Sequence, residues 1–283
     1  MACSDGFVRR PLAAADIDGG HILSADSGWN QLPADWHLML GHGEGIAVSA
    51  PDGTLAATAL THRLGTVGWI SMVLVARAYR RRGIATDLIA RCVSILQAKG
   101  ITPGLDATEA GRLVYEPLGF QPVYALSRQY VNAVTDIETP VDVRPATPAD
   151  FDKIVAYDAR VFGLDRAHIL RHLLARAPAL AHIVERAGVV RGVVLGRNGR
   201  QATQIGPLLA DDAETAIALA QAALRNVSGP VYIDALDDQH ALNDFLATRG
   251  FTIQRGFTRM LVGRSAPFDD PRRTFAIAGP ELA

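Results

Sequence analysis

Cysteine is nearly absent from this chain: Cys3 and Cys92 are its two, one at the terminus and the other inside a helical pattern. Two cysteines so placed make neither a disulfide framework nor a metal-ligand spacing, and no metal is expected. Cys92 reads as a small core residue, because a thiol in apolar surroundings has little nucleophilic thiolate. An excess of either charge is missing too. Lys plus Arg total 28 against 29 Asp plus Glu, a balance that supplies no global field for nucleic acid or an anionic membrane. No uninterrupted apolar run approaches the ~18 residues of a membrane-spanning helix. No charged start followed by an apolar stretch occurs at Met1-Ala2-Cys3-Ser4-Asp5-Gly6, so a cytoplasmic location is expected. With 20% charged and 49% hydrophobic residues, the chain has too little charge for disorder and enough apolar material for packed cores. Its 283 residues exceed the roughly 100–200 of one domain, which favours two.

What the chain does contain is a repeat of itself. Arg10-Pro11 followed by Ala15-Asp16-Ile17 recurs as Arg144-Pro145 followed by Ala149-Asp150-Phe151, a displacement of 134 residues. Near the other end, Gly119-Phe120 with Arg128 and Val131 recurs as Gly250-Phe251 with Arg259 and Val262, displaced by 131. Nearly equal displacements at both ends imply two copies of one fold. They join through residues 132–141, where Asp136, Glu138 and Pro140 mark a linker. The expected units are 1–135 and 141–265, with 266–283 as a C-terminal tail. Each copy opens on an extended Arg-Pro segment, because the residue before proline is biased away from helix, and a helix starts near Asp16 or Asp150.

In the first copy, Gly45 to Ala50 and Thr54 to Arg63 are short apolar runs split by Pro51-Asp52-Gly53, which reads as a hairpin. Gly68 to Val75 is a further strand. From Ile84, apolar residues fall at Leu88, Ile89, Cys92, Ile95 and Leu96, one face of a helix that runs to Lys99 and stops at Gly100. Leu105 to Ala107 reads as a strand end, Thr108 as an N-cap, and Leu113-Val114 with Leu118 as a short helix closed by Gly119. The expected class is α/β, with a mixed sheet of the α+β kind.

Between the strand ending at Val75 and the helix from Ile84, the loop carries Arg80, Gly83 and Ala85 at the spacing R-x-x-G-x-A. Gly83 permits positive φ and close approach of an anion, Ala85 keeps the next turn narrow, and the first free helix amides point into the loop. A diphosphate there gains charged hydrogen bonds and the roughly half-charge of the helix dipole, with Arg80, Arg81 and Arg82 as cations at the rim. A solvated arginine run is the alternative.

These segments resemble the acetyl-CoA motif of the GCN5-related N-acetyltransferase (GNAT) superfamily. The resemblance is carried by Val73-Leu74-Val75 and Ala78-Tyr79-Arg80-Arg81-Arg82-Gly83-Ile84-Ala85, followed by Thr108, Gly111, Tyr115 and Leu118-Gly119-Phe120. Thr108 and Gly111 stand where the family more usually has Asn and Ala. The likeness covers residues 7–131, and the repeat makes the whole chain look like the tandem members: two GNAT-like acyl-CoA N-acyltransferase folds, the second commonly degenerate. It implies an enzyme that moves an acetyl group from acetyl-CoA, a co-substrate, to the primary amine of a small molecule by direct attack. By resemblance, Val73, Leu74 and Val75 hold the pantetheine arm, Arg80, Arg81, Arg82, Gly83, Ile84, Ala85 and Thr86 the pyrophosphate, and Thr108 makes a further cofactor contact. Tyr115 takes the place of the general acid, a phenol near pKa ~10 being a suitable donor to a departing thiolate. Packing on the last helix is the alternative for it.

Attack needs an unprotonated amine and a group to take its proton. Trp69-Ile70-Ser71-Met72, on the strand before the loop, offers no ionisable group, and Ser71 can only orient water. The acceptor-side candidates are His62, Asp35, Trp29 and Trp36. The tryptophans and Asp35 are either a pocket for a cationic or aromatic amine or core anchors, and His62 is either a base or a satisfied histidine. In the second copy Ile205-Gly206-Pro207-Leu208-Leu209-Ala210 runs into Asp211-Asp212-Ala213-Glu214, acidic where an anion would bind, and Leu246 stands in the place of Tyr115. That copy should not bind CoA; it is a scaffold, or lends Asp234 and Asp237 to the acceptor pocket. Two rivals stay open: a sensor that binds acyl-CoA without turnover, and an acetyltransferase acting on a protein lysine or N-terminus.

Overall fold

A computed structural model describes residues 6–135 and 137–283, so Cys3 and Asp136 lie outside the described residues. The Arg-Pro strand β1 (Val8–Pro11) leads into a turn closed by Asp16, whose carboxylate accepts from Ala13 N at 2.8 Å and from the Arg10 guanidinium at 2.6 and 2.7 Å. Helix α1 (Ile17–Asp26) follows. The second unit repeats the device between β7 (Val143–Pro145) and α5 (Phe151–Phe162), where Asp150 accepts from Thr147 N at 2.8 Å and from Arg144 at 2.9 and 2.7 Å. One Arg–Asp clasp therefore starts both units, and it is the chemistry behind the repeated motif.

The first unit continues through α2 (Pro33–Gly41), β2 (Gly43–Ser49), β3 (Leu55–Leu64), β4 (Val67–Val75), α3 (Ile84–Ala98), β5 (Thr102–Ala107), α4 (Glu109–Tyr115) and β6 (Phe120–Val131). The second contains α6 (Ala167–Arg176), β8 (His182–Arg186), β9 (Val189–Arg197), β10 (Thr203–Ala210), α7 (Ala213–Leu224), β11 (Val231–Leu236), α8 (His240–Thr248), β12 (Thr252–Val262) and β13 (Thr274–Ala276). The β2–β3 hairpin turns at Gly53, φ +84°, where Asp52 accepts from Thr54 N at 2.9 Å. The apolar face of α3, with Leu88, Ile89, Cys92 and Leu96, is buried on the sheet. Burial pushes the Cys92 thiol up to about 12, which leaves it inert. No helix of the described residues is long and apolar enough to cross a membrane.

Among the described residues the strands form one mixed sheet of thirteen, in the order β1-β2-β3-β4-β5-β12-β6-β11-β13-β10-β9-β8-β7. The parallel pairs are β4–β5 and β10–β11. At the centre the two units exchange their long last strands: β12 lies beside β5 of the first unit, and β6 lies beside β11 of the second. Two reciprocal ion pairs fix the exchange. Arg259 on β12 faces Asp106 on β5 through two bonds of 2.9 Å, and Arg128 on β6 faces Asp234 on β11 through two of 2.8 Å. All four side chains are buried, so each charge depends on its partner for compensation. The boundaries 1–135 and 141–265 thus divide the sequence but not the sheet.

Residues 266–283 do not trail as the expected tail. The parallel contact of β10 with β11 is confined to Thr203–Ile205 and Val231–Ile233; beyond it β13 enters between the two strands. Phe275, Ala276, Ile277, Ala278, Leu282 and Ala283 are all buried. Removing that apolar surface from water is what anchors the segment.

Candidate active site

The first unit has the same strand split, and there it stays open. β4 and β5 pair only through Val67–Trp69 and Thr102–Gly104. On its other edge β4 is bulged: Thr58 pairs with Leu74 and Leu60 with Ser71, so Met72 and Val73 together oppose Ala59. Met72 has φ +51°, a left-handed conformation that a long side chain rarely takes. Bulges re-aim side chains, and strained backbone collects at functional sites. Here the bulge borders a cavity of about 220 Å³, with Ile70, Ser71, Met72 and Val73 on one wall and Leu105, Asp106 and Thr108 on the facing one.

Past Val75 the chain folds back, Arg80 Nε donating to the Val75 carbonyl at 3.0 Å. Arg81 (φ +62°) and Gly83 (φ +75°) are both left-handed. Gly83 caps α3, and Asp87 N donates to its carbonyl at 3.0 Å, so the amides of Ile84, Ala85 and Thr86 precede the first helical bond. A β-carbon on Gly83 would meet nothing within 4 Å, so the glycine is there for its backbone conformation and for open approach. Arg80, Arg81 and Arg82 are exposed at the rim, with Arg82 6.0 Å from the Phe7 ring and 5.9 Å from that of Tyr79. Turn amides, a helix N-terminus and three cations make a cradle suited to a diphosphate. Of the strand residues, Val73 lines the cavity, while Leu74 packs into the core and Val75 anchors the loop.

Tyr115 closes α4 and lines the cavity, its ring 5.9 Å from that of Phe120. Burial raises its phenol above the usual value, so the group is protonated at neutral pH. Thr108 also lines the cavity, and its Oγ1 caps α4 by accepting from Gly111 N at 3.2 Å.

Of the residues expected on the acceptor side, Trp29 and Ser71 line the cavity; Asp35, Trp36 and His62 lie elsewhere. Asp35 is fully buried and saturated: it accepts from Leu32 N at 2.7 Å and Arg176 Nη1 at 2.6 Å, and lies 2.9 Å from Arg197 Nη1, tying α2 to the second unit. Trp36 is a core residue, packed so tightly on Gly20 that a β-carbon there would come within 2.7 Å of the indole. His62 is buried on β3 with its ring 6.5 Å from that of His168, which stacks on His42 at 4.3 Å. Burial and the two neighbouring histidines hold His62 down to about 3, so it is a neutral core ring and no base for the cavity.

The chemistry-bearing residues that sequence reasoning missed come from the exchanged strands and the C-terminal segment. Arg128 on β6, Arg255 and Phe257 on β12, and Pro280 and Glu281 complete the cavity wall. Trp69 Nε1 donates to the Pro280 carbonyl at 2.8 Å, which seats the segment. Glu281 is 4% exposed; Oε1 accepts from Arg197, whereas Oε2 is buried with no hydrogen-bond partner among the described residues. No spacing in the sequence announces Glu281, because only the strand exchange brings the last residues to the first unit.

The second unit keeps the outline of this site and fills it. β13 occupies the gap between β10 and β11, and a side chain on Gly206 would collide with the Ile277 carbonyl. Asp212 caps α7 by accepting from Thr215 N at 2.7 Å, Asp211 pairs with Arg273 and Arg191, and Leu246 is buried in the core. Of the two aspartates considered for the acceptor pocket, Asp234 is spent on Arg128 and Gln204, and Asp237 is exposed.

Two family profiles match the chain in tandem: an acetyltransferase (GNAT) family over residues 22–120 and an acetyltransferase (GNAT) domain over residues 154–276. A Bacillus subtilis protein, the uncharacterized N-acetyltransferase YitH, is 21% identical over 238 residues, 83% of this chain and 84% of its own. Among solved structures, a Pyrococcus horikoshii protein provisionally described as an acetyltransferase superposes with a TM-score of 0.81 at 20% identity, over 99% of this chain and 97% of that one. A tandem GNAT protein from the clavulanic acid biosynthesis pathway superposes with a TM-score of 0.61 at 15% identity, over 92% and 99% of the two chains. The structural likenesses are likenesses of fold.

Proposed function

This chain belongs to the GCN5-related N-acetyltransferase superfamily, and from that premise we propose that it acetylates the primary amine of a small molecule by direct attack on acetyl-CoA. The observation that carries the reading is a single cavity at the β4–β5 split, lined by both a phenol and a carboxylate, Tyr115 and Glu281.

Acetyl-CoA supplies the acyl group as an activated thioester. The amides of Ile84 to Thr86, Gly83 and the three arginines hold its pyrophosphate, and the strand edge from Val73 to Val75, with Thr108 opposite, receives its pantetheine arm. Glu281 Oε2, buried and unpartnered, takes the proton that the acceptor's ammonium loses before its lone pair is free. As the nitrogen–carbon bond forms and the carbon–sulfur bond breaks, Tyr115 Oη gives its proton to the departing sulfur, and the second proton, shed by the acylated nitrogen, restores the phenol. Trp29 and Phe257 line the cavity with apolar surface. A cavity of about 220 Å³ with Trp29, Phe257 and Pro280 in its lining suits a small metabolite better than a protein chain. The strand before the loop offers no carboxylate, and Glu281 supplies one from another segment, which favours turnover over a sensor that only binds acyl-CoA. With its own split filled, the second unit adds no second cofactor site, so each chain carries one CoA.

CoA release on mixing with acetyl-CoA and an amine panel tests this reading. Wild type should turn over at least one amine, and Tyr115→Phe and Glu281→Gln should each lower kcat on the order of 100- to 10,000-fold. Failure of every amine to release CoA would overturn the reading.

A further inference from the structure

Among the described residues, every ionic side chain of the cavity lining but one has an ion-pair partner. Asp106 is held by Arg259, Arg128 by Asp234 and Glu281 by Arg197. Arg255, half-buried on β12, has no hydrogen bond or ion pair among the described residues. Its neighbour makes this costlier. In the β12–β6 register Arg255 lies opposite Arg128, an alignment set by a bulge at Gln254 between the pairs Ile253–Gln129 and Arg255–Arg128. Like charges facing each other across an antiparallel pair destabilise a sheet. Burial and the charge of Arg128 depress the Arg255 guanidinium, and the pull of Tyr232 and Asp234 offsets them only in part. The internal repeat does not account for the arginine: at the displacement of 131 its counterpart is Tyr124, whose hydroxyl donates to Asp269 at 2.8 Å. A guanidinium with no ion pair of its own among the described residues, beside a second one on a cavity wall, is relieved by an anion that arrives with the ligand.

We propose that the acceptor carries a carboxylate as well as its primary amine, and that Arg255 binds the carboxylate while Glu281 receives the ammonium. The inference rests on the acetyl-transfer reading above and names its substrate class, an amino-acid-like molecule. Arg255 presents a planar fork of donors that matches the two oxygens of a carboxylate. Glu281, which lines the same cavity and whose buried Oε2 has no hydrogen-bond partner among the described residues, supplies the opposite pole. Arg128 lies opposite Arg255 in the sheet and lines the cavity together with Arg255 and Glu281. Because Arg255 and Phe257 come from β12, the second unit then sets acceptor specificity through the strand it exchanges.

The test is kcat/KM for matched acceptors: glycine, β-alanine, 4-aminobutyrate and phenylalanine, each against its carboxamide, with wild type, Arg255→Gln and Arg255→Lys. The carboxamides have the less basic amines, so more of each is neutral at a given pH and a preference for the acid runs against that bias. Wild type should favour at least one acid over its amide on the order of 10- to 100-fold. Arg255→Gln should bring that ratio close to one, and Arg255→Lys should leave it in between. Equal rates for acids and amides in wild type, or an unchanged ratio in Arg255→Gln, would overturn the carboxylate site and leave acetyl transfer standing. If acetyl-CoA binds yet no amine of either kind releases CoA, the acetyl-transfer reading falls, and the acceptor class with it.

Discussion

Burial raises the Tyr115 phenol, and a proton donor works only while protonated. Acetyl transfer should therefore not fall as pH rises toward the ordinary phenol range of about 10, and should decline only beyond it. A pH–rate profile that falls near neutrality in wild type and Tyr115→Phe alike would contradict the role. His62 makes the opposite kind of prediction, about stability. His62 and His168 sit at about 3 and about 4 in the folded protein, below the unfolded histidine value of roughly 6.5. The unfolded chain then binds the extra protons on acidification, so their neutral burial costs nothing above about pH 6.5 and progressively destabilises the fold between there and pH 4. Neither ring nitrogen of His62 has a partner among the described residues, so His62→Leu removes the titrating group without orphaning another. Thermal unfolding followed from pH 7 to pH 4 should show a shallower loss of Tm in the variant, and an identical slope would contradict it. Tyr115 was legible from a motif in register with a strand and a helix. Asp35, Trp36 and His62 misled because a polar or aromatic residue in a pocket and one in a core have the same local sequence, and only tertiary partners such as Arg176 and Gly20 tell them apart.

At the scale of elements, α3, the β2–β3 hairpin and both Arg–Asp clasps were readable, since period, turn residues and short-range hydrogen bonds fix each of them locally. Strand order was not. The matching of Arg128 with Arg259 marked both as equivalent positions, but periodicity says that a segment is a strand and nothing about which neighbour it takes. β13 escaped notice for a related reason: a short apolar run is too brief to signal a strand until a gap receives it. The exchange yields a direct energetic test. Arg259→Ala leaves Asp106 as a buried carboxylate without its bidentate partner, a loss of about 3–5 kcal/mol. Chemical denaturation should show it as a lower midpoint; a change under about 0.5 kcal/mol, as for an ordinary surface substitution, would mean that the pair does not hold the exchanged strand.

Across the whole molecule, one ancestral layout is used twice to different ends. In the first unit the split between parallel strands stays open under an anion cradle, and in the second the chain's own β13 lies in the equivalent gap while Asp212 caps the equivalent helix. The first unit in turn borrows Arg255, Phe257 and Glu281 from beyond residue 141 to complete its cavity. The proposal that joins these observations is a single cofactor per chain, held by the loop from Arg80 to Thr86. Calorimetric titration of acetyl-CoA into wild type and into Gly83→Glu tests that most directly, since the new side chain has open space to occupy and sets a carboxylate where the diphosphate belongs. Wild type should bind one acetyl-CoA per chain and the folded variant none; two sites per chain, or undiminished affinity in Gly83→Glu, would contradict it.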